Sequence, residues 1–169
     1  MKVVGKQKNS RMCFICGMDN PVGLKAQFYN MEDGSVMTIF KTREDLQSFP
    51  DNTHGGITAT MLDELGLRAI WVKESELCGV TAMLNVKYRK RVHYGVELIG
   101  RGKEIKRSGK ISVMKTEIFD KYGSLLAQAD ATYILMPIEE INKDMDIHKE
   151  LCYLIEDDIK EINFENKEE

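Results

Sequence analysis

Hydrophobic and polar residues alternate along most of the chain, and this period of two predicts β-strands. Two short alternating stretches, residues 24–29 and 35–40, flank a Glu-Asp-Gly turn and predict a hairpin. Longer alternating stretches predict further strands at about residues 80–92, 94–106, 110–119 and 124–136. In the last of these, Ala127, Ala129 and Ala131 share one face, which indicates that a bulky element lies across it.

Residues 55–71 have the period of a helix instead. Ile57, Met61 and Leu65 begin an apolar surface that covers more than half of the helical circumference. A helix that is apolar nearly all round is a buried helix. Two strands, one helix and four strands in this order can pair antiparallel throughout, so we predict an α+β fold with an antiparallel sheet around one long central helix.

The C-terminal part of the chain is strongly acidic and has apolar residues at helical spacing between about residues 144 and 161. The spaced residues are Leu151, Leu154, Ile155, Ile159 and Ile162. We therefore predict a single domain over residues 1–138, with a turn-rich N-terminal segment at 12–24, and an acidic helical extension over residues 139–169.

Length and composition favour an intracellular globular protein. The chain has 169 residues, of which 43% are hydrophobic, enough for one compact core. No apolar run approaches the ~18 residues of a membrane span, and the N-terminus lacks the apolar region of a secretory signal. Four cysteines are too few for a disulfide scaffold. We expect a cytoplasmic protein without a membrane partner.

The small net charge of −3 hides an uneven distribution. Residues 139–169 carry −8 and residues 1–138 carry +5. Between Lys87 and Lys110, nine bases face only two acids, and such a local charge favours an anionic partner. These bases are equally compatible with the solvated outer faces of strands. A nucleic acid is the weaker interpretation, because no helix-turn-helix pattern or aromatic interleaving accompanies the bases.

Two adjacent acids, Asp63 and Glu64, interrupt the apolar helix. Glu64 has a partner four residues on, Arg68, and this pairing predicts a surface ion pair. Asp63 has only Ala59 and Leu67 at the matching spacings, so no base on the helix can reach it. A buried carboxylate without a partner is costly and is a candidate general base or nucleophile. The alternative is a base from a strand or from another subunit.

The start of the helix supplies backbone donors that could act together with the Asp63 carboxylate. In His54-Gly55-Gly56 the glycines allow close approach to the backbone, and the first N–H groups of a helix have no internal acceptor. A developing oxyanion would be stabilised at this positive end. Asp63 lies about 12 Å further along the axis, too far to act on a carbonyl bound at its own Gly55. The pattern therefore predicts a site shared by two subunits.

A pair of cysteines, Cys13 and Cys16, invites a zinc interpretation. A structural zinc site needs four ligands, and the chain has no second Cys-x-x-Cys. The remaining cysteines and the histidines are scattered. We favour small residues that order an N-terminal turn, and we expect no metal.

The combination His-Gly-Gly-Ile-x-Ala-x-x-Leu-Asp-Glu, with His54 nine residues before Asp63, resembles hotdog-fold acyl-CoA thioesterases of the phenylacetyl-CoA and 4-hydroxybenzoyl-CoA type. CFICGMDNPVGL at 13–24, GVTAMLNVKYRKRV at 79–92 and the last strands are also similar to this family. The resemblance implies a hotdog fold, an antiparallel sheet wrapped around one long helix, and a homodimer or tetramer with active sites between subunits.

The resemblance also implies roles for individual residues. Asp63 would be the catalytic carboxylate, with Gly55 donating its N–H to the thioester carbonyl. His54 would shape the glycine turn or contact the thioester, and Thr81 would assist the water. The expected substrate and coenzyme A contacts are Asn52, Gly56, Arg89, Lys90 and Arg91. No metal or bound cofactor is implied, since coenzyme A is part of the substrate.

The leading hypothesis is an acyl-CoA thioesterase acting on a small or medium acyl group. A non-catalytic hotdog protein that binds acyl-CoA or fatty acid in a regulatory role is the alternative, although binding an anion would not require Asp63. A hotdog hydratase is a weaker interpretation, because that class pairs Asp and His across four residues, whereas Asp51 and His54 are three apart.

Overall fold

The computed structural model describes residues 1–141, 143–144 and 146–163, which form one antiparallel sheet and one long helix. The strands are β1 (Val3–Lys6), β2 (Gln27–Met31), β3 (Val36–Phe40), β4 (Leu77–Tyr88), β5 (Leu98–Ser108), β6 (Ile111–Asp120) and β7 (Leu125–Pro137). Helix α1 spans Gly55–Ile70, helix α2 spans Ile147–Glu150, and 3-10 turns cover Glu44–Leu46 and Ile138–Glu140. The strand order in the sheet is β1-β2-β3-β5-β6-β7-β4.

Helix α1 lies directly on the sheet, as the alanine pattern predicted. Ala127, Ala129 and Ala131 of β7 are all buried in the same core as the apolar face of the helix. On β5, a Cβ atom at Gly102 would overlap the backbone oxygen of Leu65, so this glycine lets the helix approach the strand closely. Small residues on two strands therefore set the depth at which the helix sits.

The predicted hotdog architecture, an antiparallel sheet wrapped around one long helix, is confirmed. The helix begins at Gly55 and ends at Ile70, one residue earlier than expected, and the six predicted strands are present with shifted ends. Sequence analysis missed the short strand β1, whose four residues are too few to establish a period. Within the described residues, no helix combines the length and the hydropathy that a membrane crossing requires.

The predicted C-terminal helix is wrong over most of its length. Only Ile147–Glu150 is helical, and the chain then runs extended beside the N-terminus. Asn9 N–H donates to Tyr153 O at 2.7 Å, and Val3 N–H donates to Lys160 O at 2.8 Å. Residues 142, 145 and 164–169 of this extension lie outside the described residues.

The error has a physical cause in the spacing of the tail's apolar residues. Ile155, Asp157 and Ile159 turn inward while the residues between them are exposed, which is the period of a strand. Ile162 completes a small core below the sheet, and Leu154 is exposed. Isoleucines at 155 and 159 satisfy a helical and an alternating pattern equally, whereas Ile162 fits only the helical one; contact with the N-terminal residues decided for the extended form.

Candidate active site

Asp63 lies two turns into helix α1 and is held by two hydroxyl groups. The Thr81 hydroxyl donates to its Oδ1 at 2.9 Å, and the Tyr133 hydroxyl lies 3.0 Å from the same oxygen. Among the described residues, no base forms an ion pair with Asp63 and no donor reaches its Oδ2. The acid lacks a basic partner, as predicted, but in the single chain it is only partly buried and it has hydroxyl partners.

Tyr133 reaches Asp63 because two glycines leave room for its ring. A Cβ atom at Gly66 would overlap the Tyr133 hydroxyl, and one at Gly79 would lie 2.9 Å from the ring. The hydroxyl also lies 2.6 Å from the carbonyl oxygen of Asp63. Burial, and then the charge of Asp63, raise the pKa of Tyr133, so the phenol stays protonated and acts as a donor.

Sequence analysis did not include Tyr133, although a signal for it was present. Tyr133 continues the face of Ala127, Ala129 and Ala131, so a large polar side chain follows three small ones on the side that meets the helix. That position predicts contact with helix α1, but only the packing of β7 against the helix shows that the contact is with Asp63.

Thr81 is placed by the pairing of β4 with β7. Thr81 and Tyr133 are direct cross-strand partners, so both side chains point from the sheet toward the same part of the helix. The register shifts between Thr81 and Met83, and such a bulge re-aims the side chains beside it. The structure thus brings Thr81 and Asp63 together, two of the residues expected at the site.

The contact between Gly66 and Tyr133 can be tested by Gly66→Ala. We expect a loss of about 1–3 kcal/mol in the free energy of unfolding from overpacking and, if Asp63 is the catalytic carboxylate that the resemblance implies, a fall in kcat for thioester hydrolysis of about 10-fold or more because Asp63 loses an oriented donor. Tyr133→Phe should lower kcat comparably at a smaller cost in stability, with KM nearly unchanged in both variants. Full activity and an unchanged melting temperature in Gly66→Ala would contradict this role of Tyr133.

The N-terminus of helix α1 presents a free backbone donor. His54 is the N-cap, and its Nδ1 accepts from Gly56 N–H at 2.9 Å. No described residue accepts a hydrogen bond from Gly55 N–H. The Tyr88 hydroxyl donates to Gly55 O at 2.9 Å and so ties β4 to this end of the helix. His54 therefore shapes the turn and occupies the Gly56 donor, which leaves the Gly55 donor available.

A groove of about 380 Å³ lies at this end of the helix. It is lined by residues of the loop before the helix, of the helix start and of the end of β4: Ser48, Phe49, Asn52, Thr53, Gly55, Thr58, Tyr88, Lys90, Arg91 and Val92. Four residues expected to contact substrate or carbonyl, Asn52, Gly55, Lys90 and Arg91, thus come together. Arg89 is exposed beside the groove but does not line it. Gly56 does not line it either, and its N–H donates to His54 Nδ1.

The positive segment between Lys87 and Lys110 divides into two parts. Arg101 and Arg107 pair with acids, Arg101 with Asp33 at 2.7 Å and Arg107 with Glu104 at 2.6 Å. The four bases at the end of β4 are exposed and form no ion pair with a described residue; they are Lys87, Arg89, Lys90 and Arg91. Lys106 and Lys110, at the far end of the β5–β6 hairpin, also form no ion pair with a described residue, so four of the six unpaired bases of this segment lie at the end of β4.

Strand β4 forms an edge of the sheet. Its twelve residues pair on one side with β7, and no described strand covers the other side. Val80, Met83 and Tyr88 of this strand are 46%, 57% and 54% exposed. A long, apolar and uncovered edge strand is an aggregation hazard unless another chain pairs with it.

Glu64 pairs with Arg68, but the predicted location of the pair at the surface is wrong. Arg68 is buried, its Nε donates to Glu64 Oε1 at 2.8 Å, and its guanidinium lies between the rings of Phe28 and Trp71. Burial opposes the charge of Arg68, and the carboxylate of Glu64 offsets this so that the net effect raises the pKa of Arg68. The pair anchors the N-terminal segment to the helix.

The family model described as thioesterase superfamily matches residues 51–127, which contain both the helix N-terminus and Asp63. Human acyl-coenzyme A thioesterase 13 is 25% identical over 100 residues, which cover 59% of this chain and 71% of the relative. The resemblance seen in the sequence is thereby confirmed: residues 51–127 match the thioesterase superfamily model, and the chain has the hotdog fold of the solved structures it resembles.

Solved structures show the same fold. A thioesterase superfamily protein superposes with a TM-score of 0.69 at 22% identity over 73% of this chain, and this chain spans 63% of that protein, less than two thirds of its length. A hypothetical thioesterase from Streptococcus pneumoniae, solved with coenzyme A, gives a TM-score of 0.60 at 22% identity over 66% of this chain and 89% of that one.

Proposed function

We propose that the protein is an acyl-CoA thioesterase that hydrolyses the thioester of a small or medium acyl group with Asp63. The observation that carries the proposal is a carboxylate on a helix that accepts from the Thr81 hydroxyl, shares the Tyr133 hydroxyl with its own carbonyl oxygen, and lacks any cation among the described residues. A binding site for an anion would not place a negative charge there. The name of the human relative and the coenzyme A in the bacterial structure agree with this substrate class.

In the proposed reaction, the thioester oxygen accepts a hydrogen bond from Gly55 N–H at the positive end of the helix. Asp63 removes a proton from a water molecule as the water oxygen attacks the carbonyl carbon. When the C–S bond breaks, the coenzyme A thiolate receives that proton, and the products are a carboxylic acid and coenzyme A. Asp63 could also attack the carbonyl carbon directly, and water would then hydrolyse the acyl-enzyme anhydride. This route requires the same Asp63 carboxylate and the same Gly55 N–H.

The two halves of this site belong to different subunits in our proposal. Asp63 and Gly55 of one chain are about 12 Å apart along α1, too far to serve one carbonyl. Pairing of two copies through the uncovered edge of β4 would bury its exposed apolar residues and bring the helix of each copy near that of its partner. A homodimer, or a tetramer built from two such dimers, follows.

Coenzyme A phosphates are expected to contact Lys90 and Arg91 in the groove beside Gly55. We predict that Lys90→Ala combined with Arg91→Ala raises KM about 10-fold or more and leaves kcat nearly unchanged, because phosphate contacts hold substrate and transition state equally. Steady-state kinetics at two salt concentrations measures this. The matched control, Lys106→Ala with Lys110→Ala, removes two bases at the far end of the β5–β6 hairpin and should leave KM unchanged.

The function itself is tested by thiol release from a panel of short, medium, long and aromatic acyl-CoAs. We expect hydrolysis of short or medium substrates without added metal or cofactor. Tight binding of coenzyme A without hydrolysis of any substrate would instead favour the regulatory alternative, a non-catalytic acyl-CoA or fatty-acid binding protein. We propose a cytoplasmic location, where acyl-CoA is available and the cysteines stay reduced.

A further inference from the structure

The N-terminal cysteines meet a third side chain that the sequence did not place beside them. The Sγ atoms of Cys13 and Cys16 and a carboxylate oxygen of Glu64 all lie within 4.8 Å of one another, and Cys13 Sγ is 3.8 Å from Glu64 Oε2. In a tetrahedral zinc site, sulfur and oxygen ligands at ~2.0–2.3 Å from the metal lie about 3.5–3.8 Å apart. The three donors are thus close to the spacing that one ion requires.

The turn that carries the cysteines holds both sulfurs in place. Ile15 N–H donates to Cys13 Sγ at 3.3 Å, and Gly17 N–H closes the turn onto Cys13 O at 2.8 Å. A Cβ atom at position 17 would overlap Cys13 O, so only glycine fits there. The Ser10 hydroxyl lies 3.3 Å from Cys16 Sγ. These contacts fix the positions of both sulfur atoms before any metal binds.

The third donor is oriented by a buried cation. Glu64 Oε1 accepts from Arg68, which leaves Oε2 turned toward Cys13. Arg68 is itself fixed by the carbonyl oxygen of Lys8 at 2.9 Å. Metal-binding carboxylates are commonly held by such an outer hydrogen bond.

Charge balance also favours a divalent cation. With a divalent ion bound, two thiolates and one carboxylate carry three negative charges, which the ion and Arg68 together neutralise. A neutral cluster suits an apolar setting, where unpaired charge is costly. The apolar setting is real, since Cys16 is 1% exposed and Cys13 packs against the hydrophobic core.

An entry path is present. Cys13 lines a groove of about 710 Å³ together with Leu67, Trp71 and Cys78. A metal held by three protein ligands would keep one coordination position for water or another ligand.

We propose that Cys13, Cys16 and Glu64 form a site for a zinc-class divalent metal ion that fastens the N-terminal turn to helix α1. The earlier expectation of no metal rested on the missing second pair of cysteines, and the fold supplies Glu64 from the helix instead. Glu64 and Asp63 are neighbours but point to different partners, so the site is separate from the catalytic carboxylate and does not depend on thioester hydrolysis.

The test is a titration of the reduced, chelator-treated full chain with Co²⁺. We expect thiolate-to-cobalt charge-transfer absorption that saturates at one ion per chain and is displaced by Zn²⁺. Cys16→Ser should weaken binding at least ~100-fold, and Glu64→Gln should weaken it about 10- to 100-fold while sulfur ligation persists. The control, Cys152→Ser, removes an exposed cysteine outside the cluster and should leave the titration unchanged.

A second measurement uses only the wild-type chain and is therefore independent of any folding defect in the variants. Zinc should protect Cys13, which lines the groove, from alkylation and leave Cys152 reactive. Absence of the charge-transfer band in the wild type, equal binding by Cys16→Ser, or alkylation of Cys13 at the same rate with and without zinc would each overturn the proposal. None of these readouts uses thioester hydrolysis, so a failure here is distinct from a failure of the proposed activity.

Discussion

Asp63→Asn is expected to lower kcat for acyl-CoA hydrolysis at least ~100-fold, with little change in KM. The asparagine side chain keeps an oxygen at the Oδ1 position, which still accepts from Thr81 and Tyr133. The substitution therefore removes the negative charge and the basicity while the surrounding hydrogen bonds persist. Both proposed mechanisms lose their essential group, because an amide neither takes a proton from water nor attacks a thioester.

The measurement is thiol release at saturating acyl-CoA, with circular dichroism to verify the fold. Glu97→Gln is the matched control, because it also replaces an acid by its amide, but at an exposed position outside α1, just before β5. Its kcat should equal that of the wild type. Should Asp63→Asn hydrolyse acyl-CoA as fast as the wild type, Asp63 would be structural and the proposed mechanism would fail.

The parts of the site that could be predicted from the sequence are local. His54, Gly55 and Gly56 lie at a helix start, and Asp63 lies on the same helix, so periodicity alone places all of them. The free Gly55 donor and the missing helical partner of Asp63 both follow from helix geometry. The six predicted strands were accessible for the same reason, because each carries its own period, whereas their order in the sheet was not.

The parts that could not be predicted depend on contacts between distant segments. Tyr133 lies 70 residues from Asp63, and only strand register and the space left by Gly66 bring them together. Glu64 was expected at the surface because helical spacing accounts for its pair with Arg68. Helical spacing does not reveal the N-terminal turn that covers both residues. The acidic tail was expected to be helical because its apolar residues fit a helical period, and its contact with the N-terminus lies outside any local window.

Gly55→Pro is expected to lower kcat about 100- to 1,000-fold, the usual cost of losing one oxyanion donor. Proline removes the backbone N–H and is otherwise well suited to the first position of a helix, where that N–H has no internal partner. The residue before it, His54, already has an extended ψ of 135°, which proline requires of its predecessor. The variant should therefore fold normally and lose one donor.

Gly55→Ala distinguishes the effect of added side-chain bulk from the effect of losing the N–H donor. Alanine keeps the N–H, and its Cβ would lie an ordinary 3.5 Å from the Tyr88 hydroxyl. We expect its kcat to stay within a few-fold of the wild type. Equal losses in Gly55→Ala and Gly55→Pro would indicate that crowding, and not the missing donor, reduces activity.

Mixing the two inactive variants tests whether a site uses residues of two chains. If Asp63 of one subunit works with Gly55 of its partner, a dimer of one Asp63→Asn chain and one Gly55→Pro chain has one site with both defects and one site with neither. After unfolding and refolding together, random pairing should restore about a quarter of the wild-type activity, although each variant alone has almost none. If both residues served the same site from one chain, every site in the mixture would carry a defect, so activity that stays at the level of the separate variants would contradict a site shared across the β4 edge.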